Sequence, residues 1–341
     1  VAIVRNDSAA GAVGAGEGGF RLTCAAIALM QRGRAALSAP LPAKKTAARR
    51  DRRAFRVPGA GVVAAARAGI RATAPASAFT LVQWLLMGRI HFCKVGCGDC
   101  TVIQGASHTF LIDCYGIEKH ASLLPASKSL RGVFITHQHT DHFAGMEYLK
   151  NNGYSIDCLI YSPYERRYND NSVTYDEWKD FERLRDHFVN KGTKTWTPYR
   201  QDDVSKTFWD IDGISFRILA PFKDLAQSDT REIHDACLVV HVTAGSQKFL
   251  VCGDASDSSL NKLAKNTTNY CNGVLRCSHH GSDNNADLDF VKGANANYTM
   301  VSTEAGVYPN VPGATAMQRY RSHTKQAVYR TDTDGGKYWD F

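Results

Sequence analysis

Gly132-Val133-Phe134-Ile135-Thr136-His137-Gln138-His139-Thr140-Asp141-His142 is the stretch that decides how this chain reads. Val133, Phe134 and Ile135 form the short apolar run of a strand buried on both faces. The run stops at a cluster of metal-ligand side chains. Residues two apart in extended chain point the same way, so His137 and His139 can grip one metal ion together. Asp141 and His142, reached as the chain turns into the helix expected of AGMEYLKNNG (144–153), can aim at a second ion beside it. Imidazole and carboxylate donors suit zinc, with manganese or iron as alternatives. A solvated His-rich turn would carry the same letters, so the stretch needs company.

Two further strand ends supply it. Phe249-Leu250-Val251-Cys252-Gly253-Asp254 is an apolar strand ending in an aspartate that can bridge two metal ions. Val274-Leu275-Arg276-Cys277-Ser278-His279-His280-Gly281-Ser282 is again a strand, followed by ligand types and a glycine that lets the backbone come close. Either piece alone is an ordinary turn or a surface pair. Three strand ends that each deliver His or Asp make a coherent site.

Composition fits a globular chain. Of 341 residues, 44% are hydrophobic and 22% charged, enough to bury a core. No apolar run approaches the roughly 18 residues of a bilayer span, which excludes a transmembrane reading. The formal net charge of +8 misleads, because residues 1–86 hold 13 Lys+Arg, only 3 Asp+Glu and 24 alanines. The remainder is slightly acidic, so whole-chain basicity does not argue for nucleic acid. Residues 1–86 show neither helical nor strand periodicity and are expected to be disordered or non-native to the protein. Their Arg-rich, acid-poor composition fits an organelle transit peptide in part. A domain of ordinary texture is expected over 87–341.

Within it, strands are expected in RIHFCKV, CTVIQG, HTFLIDCYG, SLRGVFITH, CLIYSP, ISFRILAP, ACLVVHVTAGSQKFLVCGD, GVLRCS, YTMVST and QAVYRTD. A helix over 174–190 would put Trp178, Phe181, Leu184 and Phe188 on one core-facing stripe. A second helix is expected near 314–322. Strands and helices interleave, with the chemistry at strand ends, as layered α/β folds arrange their sites.

These motifs resemble the metallo-β-lactamase-fold hydrolases, and among them the soluble hydrolase domain of the DNA-uptake protein ComEC. The likeness rests on HFCKVGCGDCTVI, HTFLIDCYG, ITHQHTDHFAGM, ACLVVHVTAGSQKFLVCGD, VLRCSHHGSDNN and the closing VYRTDTDGG, over most of residues 88–341. It implies a four-layer αβ/βα sandwich with two divalent metal ions at one edge. It implies His137, His139, Asp141, His142 and His280 as ligands, Asp254 as the bridge and Asp113 as an acid supporting a ligand histidine. His279 is left near the substrate, although the residues do not separate it from His280. Many relatives carry a third histidine on the first ion. His234 can fill that place, but REIHDACLVV reads better as carrying a surface or hydrogen-bonding histidine. Lys94, Cys97 and Val311 also depart from the residues usual in such relatives.

The implied chemistry is hydrolysis by a hydroxide held between two metal ions, with Asp141 orienting it and His279 giving a proton to the leaving oxygen. The expected substrate partner is a small-molecule or nucleic-acid phosphodiester. A carboxylic ester, thioester or lactone at the same centre is the alternative, and a metal-binding or interaction module without turnover is a third reading. Cys93, Cys97 and Cys100 read as buried thiols rather than a metal site, and such cysteine usage fits the cytoplasm. Tyr161, Tyr164, Arg166, Arg167 and Tyr168 can stack bases and meet phosphates, or cover the core as an amphipathic loop. Nothing in the residues specifies an oligomeric state.

Overall fold

Neighbouring residues along the central strands face two different cores, and this alternation builds the molecule. The computed structural model describes residues 88–201 and 207–341. The expected boundary at Met87 and the reading of residues 1–86 lie outside them. The first half forms β1 (Arg89–Phe92), β2 (Cys100–Gln104), β3 (Thr109–Cys114), β4 (Ser129–Leu130), β5 (Gly132–Ile135), β6 (Ser155–Ile156), β7 (Cys158–Tyr161) and β8 (Lys194–Trp196). Interleaved with them are α1 (Thr140–Phe143), α2 (Gly145–Asn151) and α3 (Tyr175–Val189). The second half adds β9 (Phe208–Ile211), β10 (Ile214–Ala220), β11 (Val239–Ala244), β12 (Gln247–Val251), β13 (Val274–Arg276), β14 (Tyr298–Val301), β15 (Ala327–Arg330) and β16 (Lys337–Asp340). Its helices are α4 (Lys223–Ala226), α5 (Asp257–Asn266), α6 (Leu288–Ala294), α7 (Ala314–His323) and α8 (Thr331–Asp334).

Two seven-stranded sheets result, ordered β16-β1-β2-β3-β5-β7-β8 and β15-β14-β13-β12-β11-β10-β9. Phe110, Ile112, Phe134 and Ile160 of the first sheet meet Phe216, Ile218, Val240, Phe249 and Val251 of the second in a shared core. Phe134 stacks on Phe216 with ring centroids 4.8 Å apart. The intervening residues of the first sheet, Leu111, Val133, Ile135 and Leu159, pack under Met146, Leu149, Phe181, Leu184 and Phe188 of α2 and α3. On the far side, Leu250 and Leu275 pack under Leu260, Leu263, Phe290 and Tyr320 of α5, α6 and α7. Helix, sheet, sheet, helix is the expected four-layer sandwich, and burial of both strand faces is why β5 and β12 read as unbroken apolar runs.

The long helix begins as its sequence predicts. Thr174 accepts from the Glu177 backbone N–H while the Glu177 side chain reaches back to Thr174, a reciprocal cap. Phe181, Leu184 and Phe188 are buried as expected; Trp178 instead packs with Tyr164 and Ile233 in a small separate cluster. Strand β16 was not among the expected elements. It returns after the Gly-Gly turn to pair with β1, Arg89 opposite Asp340.

Parallel pairing fixes where the chemistry lies. Strand β3 runs parallel to β5, and β12 parallel to β13, so the residues that follow them leave on one edge. No helix among the described residues is long and apolar enough to cross a membrane. The nine described cysteines are free thiols, and Cys93, Cys97 and Cys100 are buried.

Candidate metal centre

His137 follows β5, His139 caps α1, and Asp141 and His142 lie in its single turn. Asp254 follows β12 at the turn made by Gly253, whose φ of 49° falls in the left-handed region. A Cβ on Gly253 would lie 2.5 Å from Thr136 Oγ1, so glycine there is also a matter of space. His279 and His280 follow β13 with φ of 48° and 53°, a tight turn held by the His279 N–H on the Gly253 carbonyl at 3.0 Å. Thus one strand-end loop of the first sheet meets two of the second.

The side chains converge. The carboxylate of Asp254, 2% exposed, lies within 4.0 Å of five imidazole nitrogens. Its Oδ1 is 3.3 Å from His142 Nε2. Its Oδ2 is 3.8 Å from His137 Nε2, 4.0 Å from His234 Nε2, 3.6 Å from His279 Nε2 and 3.7 Å from His280 Nε2. His280 Nε2 is also 3.2 Å from Asp141 Oδ2. His137, His139 and His234 form one group whose donor atoms could share an ion.

The outer nitrogens explain the inner ones. His142 Nδ1 donates to Asp113 Oδ2 at 2.9 Å, and Asp113 is held by the Thr136 N–H at 2.7 Å and the Thr136 hydroxyl at 2.8 Å. His139 Nε2 donates to the Ser172 carbonyl at 2.7 Å. His280 Nδ1 donates to the Ser302 carbonyl at 3.1 Å, and His279 Nδ1 to Asn285 Oδ1 at 2.8 Å. Asn285 spends its amide N–H on the Ala255 carbonyl, which leaves its oxygen to accept. Each acceptor fixes a proton on the outer nitrogen and leaves the inner nitrogen as the one that can face an ion. Asp113 therefore takes the supporting place that the sequence implied for it.

The fit to metal ions follows from what these inward atoms lack. His142 Nε2, His234 Nε2 and Asp254 Oδ1 are buried and have no hydrogen-bond partner. Buried polar atoms are almost always satisfied, so three orphans pointed at one region mark a place for cations. The charge balance agrees. Burial opposes charge on Asp254, yet His142, His280 and His279 hold its carboxyl well below the usual carboxylate range. Burial likewise opposes charge on His142 and His280, but the surrounding aspartates raise both well above the ordinary imidazole value. His137 is pushed well below that value by burial, and His234 down to about 3, so both are neutral and ligand-ready. Divalent ions would take over the countercharge now carried by protons.

The sequence model of the metallo-beta-lactamase superfamily matches residues 94–215. The fold is the metallo-β-lactamase fold. Solved structures similar to this chain include the metallo-beta-lactamase fold protein YhfI from Bacillus subtilis, 15% identical, covering 75% of this chain and 99% of that one with a TM-score of 0.48. They include Zn(2+)-bound PqqB from Methylobacterium extorquens, 10% identical, covering 74% and 100% with a TM-score of 0.47. Tm1679, a metal-dependent hydrolase of the beta-lactamase superfamily, is 13% identical, with coverage of 75% and 99% and a TM-score of 0.44. No curated protein matches.

All six expected ligands lie in this one cluster of the metallo-β-lactamase fold, and so does His279. His234 corrects the sequence reading. It lies on a single helical turn, Ile233–Ala236, partly buried, with its ring 5.1 Å from His137 and 5.1 Å from His139. The flanking Ile233 and Ala236 are fully buried and anchor that turn. Asp99 and Arg276 escaped the sequence reading and are treated below. A cleft of about 400 Å³ opens over the cluster, lined by His139, Asp141, Glu177, His279, Tyr308 and Val311 among others. The aromatic-basic group is mostly structural. Tyr164 is buried, Arg166 donates to the Val173 and Asp170 carbonyls, and Arg167 donates to those of Ser228 and Asp229. Tyr168 alone projects, at 94% exposed.

Proposed function

We propose that this protein is a dinuclear metal-dependent phosphodiesterase acting on a nucleic acid or nucleotide. The observation that carries the metal reading is the buried Asp254 carboxylate with the nitrogens of His137, His142, His234, His279 and His280 within 4.0 Å, His139 grouped with His137 and His234, and Asp141 against His280. The choice of a phosphodiester rests on the likeness of the motifs quoted above, ITHQHTDHFAGM and VLRCSHHGSDNN among them, to ComEC-type hydrolase domains.

Divalent ions bound there would supply Lewis acidity and a nucleophilic oxygen at neutral pH. The chain's own residues supply the rest. Asp141, Glu177 and Asp254 line the cleft with carboxylates, so a phosphate enters only where cations outweigh them. Asp141, at the mouth of the cluster, orients the attacking oxygen as well as serving as ligand. His279 is fixed by Asn285 through Nδ1, and its Nε2 faces the Asp254 carboxylate. That nitrogen is the one placed to hand a proton to the departing oxygen. Residues 87–341 are the proposed hydrolase domain.

Hydrolysis of bis(p-nitrophenyl) phosphate and of single-stranded DNA tests the proposal, with Asp141→Ala as control. Cleavage that depends on added metal and disappears in Asp141→Ala is the expected result. Turnover of esters, thioesters or lactones with no phosphodiester cleavage would replace the substrate class and keep the centre. Metal binding without turnover of any of these would leave a binding module.

A further inference from the structure

Arg276 is the largest fully buried side chain, 1% exposed at the end of the apolar strand β13. Its guanidinium is bonded to the carboxylate of Asp99, itself 2% exposed, and its remaining contacts are Thr101 Oγ1 at 3.2 Å and the Gly98 carbonyl at 3.3 Å. A buried ion pair is weak ground for stability, because apolar residues of similar volume often do as well. Its position suggests another use. Asp99 Oδ1 is 3.4 Å from His280 Nδ1, the nitrogen that also faces the Ser302 carbonyl. A carbonyl only accepts, so that nitrogen carries a proton, and His280 Nε2, turned toward Asp141 and Asp254, is the nitrogen on offer to an ion.

The same turn holds Asp141 by its backbone. The Asp99 N–H donates to the Asp141 carbonyl at 2.9 Å, and a Cβ on Gly98 would stand 2.8 Å from that oxygen. The Ser302 hydroxyl closes the arrangement on the Gly98 carbonyl at 2.6 Å. The Gly98-Asp99 turn thus touches Asp141 and His280, and the Asp99 carboxylate lies close to His142 as well, whereas the group formed by His137, His139 and His234 does not include it.

We propose that Asp99, anchored by Arg276, is a positioning residue for one half of the centre. It keeps the proton of His280 on Nδ1 and the ring turned so that Nε2 faces the ion. The inference rests on the metal reading above and adds an asymmetry to it. The neutral pair Asp99→Asn with Arg276→Gln removes the charges without leaving one buried alone. Cobalt(II) titration of the full chain, followed by visible absorption, reads the two sites separately.

The expected result is that the neutral pair weakens one of two equivalents by about 10–100-fold and leaves the other unchanged. Arg276→Lys, which keeps the charge, should retain more of the weakened equivalent than the neutral pair does. Equal weakening of both equivalents, or of neither, would overturn the proposal while leaving the metal reading intact. If the parent chain binds no cobalt, the metal reading itself fails and this inference fails with it. Proton–nitrogen NMR of the zinc-loaded parent decides independently of whether the variants fold. A proton on His280 Nδ1 supports the proposal; metal on that nitrogen, or on Asp99, overturns it.

Discussion

At the scale of the residue, His279 and His280 are neighbours in sequence with opposite surroundings. His280 is 3% exposed and tied behind by Ser302 and Asp99, so its free nitrogen is committed to the aspartates in front. His279 is about one-third exposed at the cleft, its ring Nδ1 bonded to Asn285. Substituting His279 with Gln should lower kcat by about 10²–10⁴-fold, the usual worth of general-acid catalysis. Bound metal, measured by elemental analysis, should stay the same. Loss of an ion from that variant would instead make His279 a ligand.

At the scale of the element, the site depends on how closely α2 approaches β3. A Cβ on Gly145 would lie 1.7 Å from the Cys114 carbonyl oxygen, a backbone atom with nowhere to go. Gly145→Ala should therefore cost about 1–3 kcal/mol of stability in a denaturant titration, the range for overpacking a closed interface. The strand-then-ligand units were legible because each packs its own signal within a dozen residues: an apolar run, an abrupt stop, His or Asp. The long helix was legible from its cap and its stripe. Strand β8 was not, being three exposed residues, Lys194–Trp196, paired only to β7. Helix α5 was hidden by a polar sequence in which Leu260 and Leu263 are the large apolar residues that reach the core. The Asp99–Arg276 pair joins positions 177 residues apart, so neither sequence neighbourhood contains its reason. His234 looked superficial for the same cause: the rings it meets, His137, His139 and His279, come from distant parts of the chain.

At the scale of the whole molecule, stability and function both come from bringing two sheets together. His241 on β11 shows the stability side. Burial, with Arg217 and Lys248 nearby, pushes its pKa from the ordinary imidazole value of 6.5 down to about 4. Neutral in the fold, it takes up a proton on unfolding anywhere between those values. Its contribution is therefore fully present above about pH 6.5 and is lost as pH falls toward about 4. His241→Gln should flatten that part of the stability profile, as read by thermal midpoints across the range; an unchanged slope would contradict it. The functional side is that His137, His139, Asp141 and His142 come from the first sheet, while His234, Asp254 and His280 come from the second. The most direct test is a crystal structure of the metal-loaded protein with anomalous scattering at the metal edge. Two peaks, one among His137, His139 and His234 and one among Asp141, His142 and His280, with Asp254 between them, are the predicted result. A single peak, or ions bound away from Asp254, would contradict a dinuclear centre.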